Sequence, residues 1–429
     1  MRRVRTGTRA FEKALAAAER RGETESRRVS AVVAGVIARV RAKGDAALAA
    51  YTRRFDGFDP EDAGFAVPRA DFAAAWRRVP RSLRESLALC AARIEAFHRR
   101  QRDAGYTVRA KGAVLGQRAL PVGRAGIYVP GGKAAYPSTL LMNAIPARVA
   151  GVGEVIAACA APGGQVPDVV LAAARIAGVS RVFRIGGAQA IAAMAYGTAT
   201  VPRVDMIAGP GNAYVTEAKR QVFGAVGIDM LAGPSELVVL ADGEAVPAYV
   251  AADLLSQAEH DEDAFVALVT GSSLLARAVE EEIGRQLAAL PRRGILAASL
   301  SRAVVFLVGG VAEGVEVVNR LAPEHLSLMV RDPWKTLKRI RNAGTAFLGP
   351  HSPVAVGDYI AGINHTLPTG GAARFASPLG VGDFLKKINV VLYTFSSLRA
   401  DGPHVVAIAR REGLDAHARA VLARTEREG

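Results

Sequence analysis

Gln257 and His260, in the stretch Ser256-Gln257-Ala258-Glu259-His260, stand three residues apart. On a helix that spacing puts both side chains on one face, where they can grip a single ion. The surrounding charge favours the same chemistry. No Lys or Arg occurs between Arg220 and Arg277, while the interval holds Asp229, Glu236, Asp242, Glu244, Asp253, Glu259, Asp261, Glu262 and Asp263. In a chain of formal net charge +15, such a local reversal suits a cation. A Gln/His pair at this spacing also occurs on solvated helix faces, so the stretch alone leaves both readings open.

A second constellation is Glu324-His325, just before the apolar run that starts at Leu326. Neighbouring side chains diverge within a strand, but at its entrance both can reach a substrate, offering an imidazole base near neutrality and a second carboxylate. Asp358 and His365 follow in a segment punctuated by Pro350, Pro353, Gly362 and Pro368, read as a long irregular loop of the kind that usually serves function. Near the end, Glu412 and His417 are five residues apart and do not share a helix face; Glu412 is expected just ahead of a helix at Gly413.

Three glycine clusters add an anion-binding theme: Pro130-Gly131-Gly132-Lys133, Gly186-Gly187-Ala188-Gln189 and Gly209-Pro210-Gly211-Asn212. Each sits between an expected strand and an expected helix, which aims backbone N–H groups at a pyrophosphate. None is a GxGxxG fingerprint, and glycine turns also serve simply to reverse the chain.

The elements that position these residues read as α/β. Short β-branched runs at 125–129, 154–157, 181–185 and 204–207 alternate with helical stretches such as 167–178 and 188–196. The alternation resumes at 237–240, 265–269, 304–307, 326–330 and 345–348. Two parallel-sheet units in tandem follow from this rhythm. Residues 1 to about 105 read as Ala/Arg/Glu-rich helices, and the tail has an expected strand at 390–393 and then helix. At 429 residues, half of them hydrophobic, the chain has enough apolar material for more than one core. Its positive charge is scattered, with aromatics at 6%, and lacks the basic, stacking-rich runs of a nucleic-acid binder. No uncharged apolar run reaches the roughly 18–20 residues of a membrane span. Cys90 and Cys159 have neither disulfide-framework nor zinc spacing, and a reducing cytoplasm fits them.

In combination these stretches resemble histidinol dehydrogenase. The matching strings are GIYVPGG at 126–132, IGGAQAIAAMAYGT at 185–198, GPGNAYVTEAKR at 209–220, DMLAGPSE at 229–236, LLSQAEHD at 254–261, LAPEHL at 321–326 and VGDYIAGINHTLPTGG at 356–371. The Glu412 to His417 pattern closes the series. The resemblance implies two Rossmann-like parallel-sheet domains in tandem, with an N-terminal helical region and a C-terminal dimerising tail. Expected segments are an N-terminal arm at 1–22, a helical part at 23–127, an NAD-contacting domain at 128–235, a second Rossmann-like part at 236–379 and a tail at 380–429.

It also implies one Zn²⁺ per subunit, held by Gln257, His260, Asp358 and His417, the last supplied by the partner in a homodimer with shared active sites. L-histidinol would contact those four residues and Ser235, His325, His365 and Glu412. Tyr128, Gln189 and Asn212 would contact NAD⁺. The implied reaction oxidises L-histidinol to L-histidine through a bound aldehyde with two NAD⁺, Glu324 and His325 being the catalytic pair. One departure is Val354-Ala355, where the family more often has a Glu/Ser pair. A paralogue acting on another small alcohol, such as a sulfonated diol, is the nearest alternative, and cationic partners would then replace Glu412 and His365. A zinc hydrolase using Glu324 would leave the glycine turns without a purpose.

Overall fold

The apolar runs at 237–241, 265–269, 304–307 and 326–329 lack polar alternation because both faces of their sheet are covered. In the computed structural model, which describes residues 1–22, 27–110, 112–131 and 135–426, they lie in a wholly parallel six-stranded sheet. Its order is Arg2–Arg5, Val304–Leu307, Phe265–Thr270, Glu236–Ala241, His325–Met329, Thr345–Leu348. Leu237, Val239 and Ala241 pack on one side with Val250, Leu254 and Val279. Val238 and Leu240 pack on the other with Phe11, Leu15 and Val318.

A second wholly parallel sheet has the order Arg181–Arg184, Glu154–Cys159, Arg124–Val129, Met206–Ala208, Gly227–Ile228. Part of its cover comes from the helices Arg27–Lys43, Gly187–Tyr196 and Ala213–Val222, through Val33, Ile37, Ile191 and Val215. The two parallel sheets belong to one compact unit, residues 1–101 and 123–384. The other unit, 102–122 and 385–429, holds an antiparallel sheet in the order Leu385–Tyr393, Ala113–Pro121, Tyr106–Ala110. It also holds the helices Phe395–Arg411 and Asp415–Thr425, which pack through Val406, Ala409 and Ala418. No helix of the described residues is long and apolar enough to cross a membrane.

Several local expectations are corrected. Residues 2–5 form an edge strand, not helix: three of the four are Arg and only Val4 is buried, so the sequence carries no periodicity there. The hairpin at 106–121 was hidden for a similar reason, since its side chains are mostly exposed or half-exposed. Asp358 lies in a short helix, Val354–Tyr359, and not in an irregular loop. Glu412 ends one helix instead of preceding the next: it is the C-cap of Phe395–Arg411, and Gly413 makes the following turn at φ +75°.

Candidate active site

Three elements converge at the amino edge of the six-stranded sheet. His325 opens its strand, in register with Leu237 and Thr345 on the flanking strands, so the preceding Glu324 sits at the sheet's rim. The helix Pro247–Ala258 follows the strand Glu236–Ala241 and runs back across the sheet, returning its penultimate residue, Gln257, toward that same edge. The helix Val354–Tyr359 packs against it and carries Asp358. Strand order reverses between Glu236–Ala241 and His325–Met329, yet Glu324 and His325 lie at the amino ends, opposite to the usual carboxyl-end rule for such sheets.

Glu324 and His325 meet there. Glu324 Oε2 is 3.4 Å from His325 Nδ1, and His325 Nε2 is 3.7 Å from Asp358 Oδ1. Nδ1 is also 3.0 Å from the Glu236 carbonyl. A carbonyl can only accept, so Nδ1 carries a proton and Nε2 is the atom free to exchange one. The imidazole stacks on Phe347 of the next strand, with ring centroids 6.0 Å apart. Burial opposes charging of His325, but Glu324 and Asp358 outweigh it and raise the ring to about 10. Burial foremost, with Glu236 adding to it, raises the Glu324 carboxyl above its ordinary value. Asp358 is held low: burial pushes it up, but the facing His325 ring and the nearby His365 and His260 rings win. His365 is lowered by burial, and its Nδ1 is 3.1 Å from the Asp358 carbonyl.

Gln257 is 1% exposed, and its Oε1 is buried with no hydrogen-bond partner. A buried carbonyl oxygen left unpaired costs stability unless something else takes its lone pair. His260 lies just past the helix, in a bend, with its N–H 3.3 Å from the Gln257 carbonyl; its side chain is exposed. The expected shared helix face therefore becomes a helix end followed by a turn, with the ring still close enough for its charge to act on Asp358. Among the described residues, no group of three or more His, Cys, Asp or Glu is placed to hold a metal. An amide oxygen, an imidazole and a carboxylate from this unit would need a further ligand to complete four. Ser235, half-buried, immediately precedes the strand Glu236–Ala241, its carbonyl accepting from Phe265 N–H at 3.0 Å. Glu412 and His417 are exposed residues of the other unit.

The glycine turns lie at the carboxyl edge of the five-stranded sheet, where ligands of such sheets usually sit. Tyr128 is buried, and its hydroxyl accepts a 3.0 Å hydrogen bond from Gly187 N–H; burial pushes its pKa up to about 12. Gln189 is buried in the first turn of the helix Gly187–Tyr196. Asn212 is the exposed N-cap of Ala213–Val222, accepting from the N–H groups of Tyr214 and Val215. Gly209 has φ +120°, and a Cβ there would lie 2.2 Å from the Tyr128 carbonyl oxygen, so this turn admits only glycine. Gly132 and Lys133 of the first cluster lie outside the described residues.

Sequence reasoning missed the polar residues beneath these sites. Lys219 and Asp229 form a fully buried ion pair under the Gly209 turn, Lys219 Nζ donating to the Gly209 carbonyl at 3.0 Å and Asp229 Oδ2 accepting from its N–H at 2.8 Å. Glu236 pairs with Arg21 behind Glu324. Asp229 and Glu236 stood out only as members of an acidic interval and as the ends of the string DMLAGPSE; a charge at the entrance of an apolar strand, as at Glu236, is the one signal that pointed inward.

Comparison with known proteins fits this layout. The family model described as histidinol dehydrogenase matches residues 19–425. Histidinol dehydrogenase of Geobacter metallireducens is 50% identical over 422 residues, covering 98% of this chain and 97% of that protein. That of Moorella thermoacetica is 52% identical over 403 residues, covering 93% and 95%. A crystal structure of histidinol dehydrogenase from Elizabethkingia anophelis superposes with a TM-score of 0.93 at 34% identity, over 99% of this chain and 98% of that one. This chain belongs to the histidinol dehydrogenase family.

Proposed function

We propose that the enzyme oxidises L-histidinol to L-histidine, consuming one water and two NAD⁺ and releasing two NADH and three protons, with histidinal as the bound intermediate. The observation that carries this reading is the convergence of Glu324, His325 and Asp358 at one buried sheet edge. When bound, zinc would orient the substrate as a Lewis acid and NAD⁺ would accept hydride. Gln257 Oε1, His260 and Asp358 are donors suited to that ion, and the unpartnered amide oxygen supports the fit. His417 of a second copy is the proposed fourth ligand, which makes the working unit a homodimer. Tyr128, Gln189 and Asn212 are the proposed nucleotide contacts, and Ser235, His365 and the second copy's Glu412 the further substrate contacts.

His325 Nε2 takes the hydroxyl proton in the first oxidation, its tautomer fixed by the Glu236 carbonyl. Engaging Asp358 in ligation would withdraw one of the two carboxylates that favour an imidazolium, bringing the ring toward the neutral form a base requires. Glu324, a stronger base than an ordinary carboxylate once ionised, takes a proton from the water that adds to the aldehyde carbon. His325 then accepts a proton from the hydrated aldehyde as its second hydride leaves. The two buried, unpaired cysteines suit the reducing cytoplasm proposed as its location.

The test compares Glu324→Gln and His325→Asn on histidinol and on histidinal. His325→Asn is expected to suppress both oxidations by about 100-fold or more, and Glu324→Gln chiefly the second. Equal losses of alcohol and aldehyde oxidation in Glu324→Gln would remove Glu324 from the hydration step.

A further inference from the structure

Behind the acid–base pair lies a buried ion pair that touches neither substrate nor metal in the reading above. Arg21, just past the helix Arg9–Glu19, grips Glu236 with two bonds: Nε to Oε1 at 2.8 Å and Nη2 to Oε2 at 2.6 Å. The side chains are 11% and 3% exposed. Arg21 is itself held, by the Ala18 and Leu321 carbonyls at 2.8 Å each and by the Phe265 ring beneath its guanidinium. The Glu236 carboxylate accepts two further bonds, from Gly370 N–H at 2.6 Å and Glu324 N–H at 3.2 Å. All four lone-pair directions of the carboxylate are thereby used.

The backbone of Glu236 reaches the reacting groups directly. Its N–H donates to Glu324 Oε2 at 2.7 Å, and its carbonyl accepts from His325 Nδ1 at 3.0 Å. Glu236 and Glu324 therefore clasp each other reciprocally, N–H to carboxylate in both directions. One residue thus sets the direction of the Glu324 carboxylate and the tautomer of the His325 ring, while Arg21 fixes that residue. Without Arg21, Glu236 would be a buried carboxylate facing Glu324 with no cation to balance it.

We propose that Arg21 and Glu236 are positioning residues for the Glu324–His325 pair, with the N-terminal arm thereby acting on the chemistry as well as the fold. The proposal rests on the catalytic roles assigned above to Glu324 and His325. An ion pair of merely structural value would give stability alone; one that aims two catalytic groups should act on turnover at saturation, because misplacement by about 1 Å can cost on the order of 100-fold in rate.

The experiment uses full-length, zinc-replete enzyme and the variants Arg21→Gln, Arg21→Lys and Glu236→Gln, each assayed at saturating histidinol and NAD⁺ with zinc per chain and Tm recorded. The expected result is a kcat lowered about 10- to 100-fold in Arg21→Gln and Glu236→Gln, with both KM values within about twofold of the parent and zinc content unchanged. Arg21→Lys, which restores charge but not the two-pronged grip, should fall between parent and Arg21→Gln. If Arg21→Gln does not fold, Glu236→Gln and Arg21→Lys decide by the same readout. A lowered Tm with full kcat per bound zinc, or raised KM with unchanged kcat, overturns the proposal. A parent enzyme that does not turn over histidinol would refute the functional reading instead, and is seen before any variant is made.

Discussion

Lys219→Met removes one half of the buried pair under the Gly209 turn, and its cost follows from the surroundings. The side chains are 2% and 0% exposed, so Asp229 keeps no water and only the Gly209 N–H at 2.8 Å, while the Gly209 carbonyl loses its 3.0 Å donor. Removing one member of such a pair typically costs about 3–5 kcal/mol, because an uncompensated charge stays buried. With an unfolding entropy of about 2.1 cal/mol/K per residue over the roughly 360 residues of the unit 1–101 and 123–384, that loss lowers Tm by about 4–7 °C. The turn leads directly to Asn212, one of the proposed nucleotide contacts, so the KM for NAD⁺ should rise while that for histidinol stays near the parent value. The double variant Lys219→Met/Asp229→Asn should recover more than half of the lost stability, since neither charge remains and the Asn oxygen still accepts from Gly209 N–H. Differential scanning calorimetry and initial-rate kinetics on the three proteins measure both quantities. A Tm within 1 °C of the parent, or a loss confined to the histidinol KM, would refute the reasoning.

Two other substitutions probe the helix Pro247–Ala258 at the edge of the six-stranded sheet. Gln257→Leu replaces a buried, unpartnered carbonyl with a side chain of similar volume, so the metal-free protein should hold its stability or gain about 1–3 kcal/mol. Its zinc affinity, read by chelator competition, should fall by at least about 10-fold; a destabilised apoprotein with normal zinc affinity would show that the oxygen serves the fold. Asp253, on the same helix, accepts from Ser327 Oγ at 3.4 Å and from Val354 N–H, and burial raises it to about 6. A carboxyl raised in the folded state stabilises fully below its unfolded value near 4 and loses that contribution as pH rises through 6. Asp253→Asn in metal-free protein should therefore gain about 2–3 kcal/mol relative to the parent between pH 4 and pH 7.5 by urea denaturation. A difference that does not change with pH would count against it.

The parallel strands were legible because burial on both faces leaves uninterrupted apolar runs, and each expected strand from 125 to 348 has a counterpart. The strands Arg2–Arg5, Tyr106–Ala110 and Ala113–Pro121 were not, since their pairing is set by distant partners and little of their surface is buried. Among the site residues, Glu324 and His325 were readable as neighbours at a strand entrance, and the structure brings them to 3.4 Å. That Asp358 lies 3.7 Å from His325 could not be read from spacing: 33 positions of chain and a strand separate them, and only the fold closes the gap. The helical-face argument for Gln257 and His260 failed locally because the helix ends at Ala258. Arg21 gave no signal among so many scattered arginines; what marks it is a partner 215 positions away.

The central claim is tested most directly by counting NADH formed per L-histidinol consumed by the purified, zinc-loaded enzyme, beside a chelator-treated sample. Two NADH per substrate, lost on chelation and restored by zinc, is the predicted result. One NADH per substrate with free histidinal accumulating, or full turnover by the chelated enzyme, would contradict it.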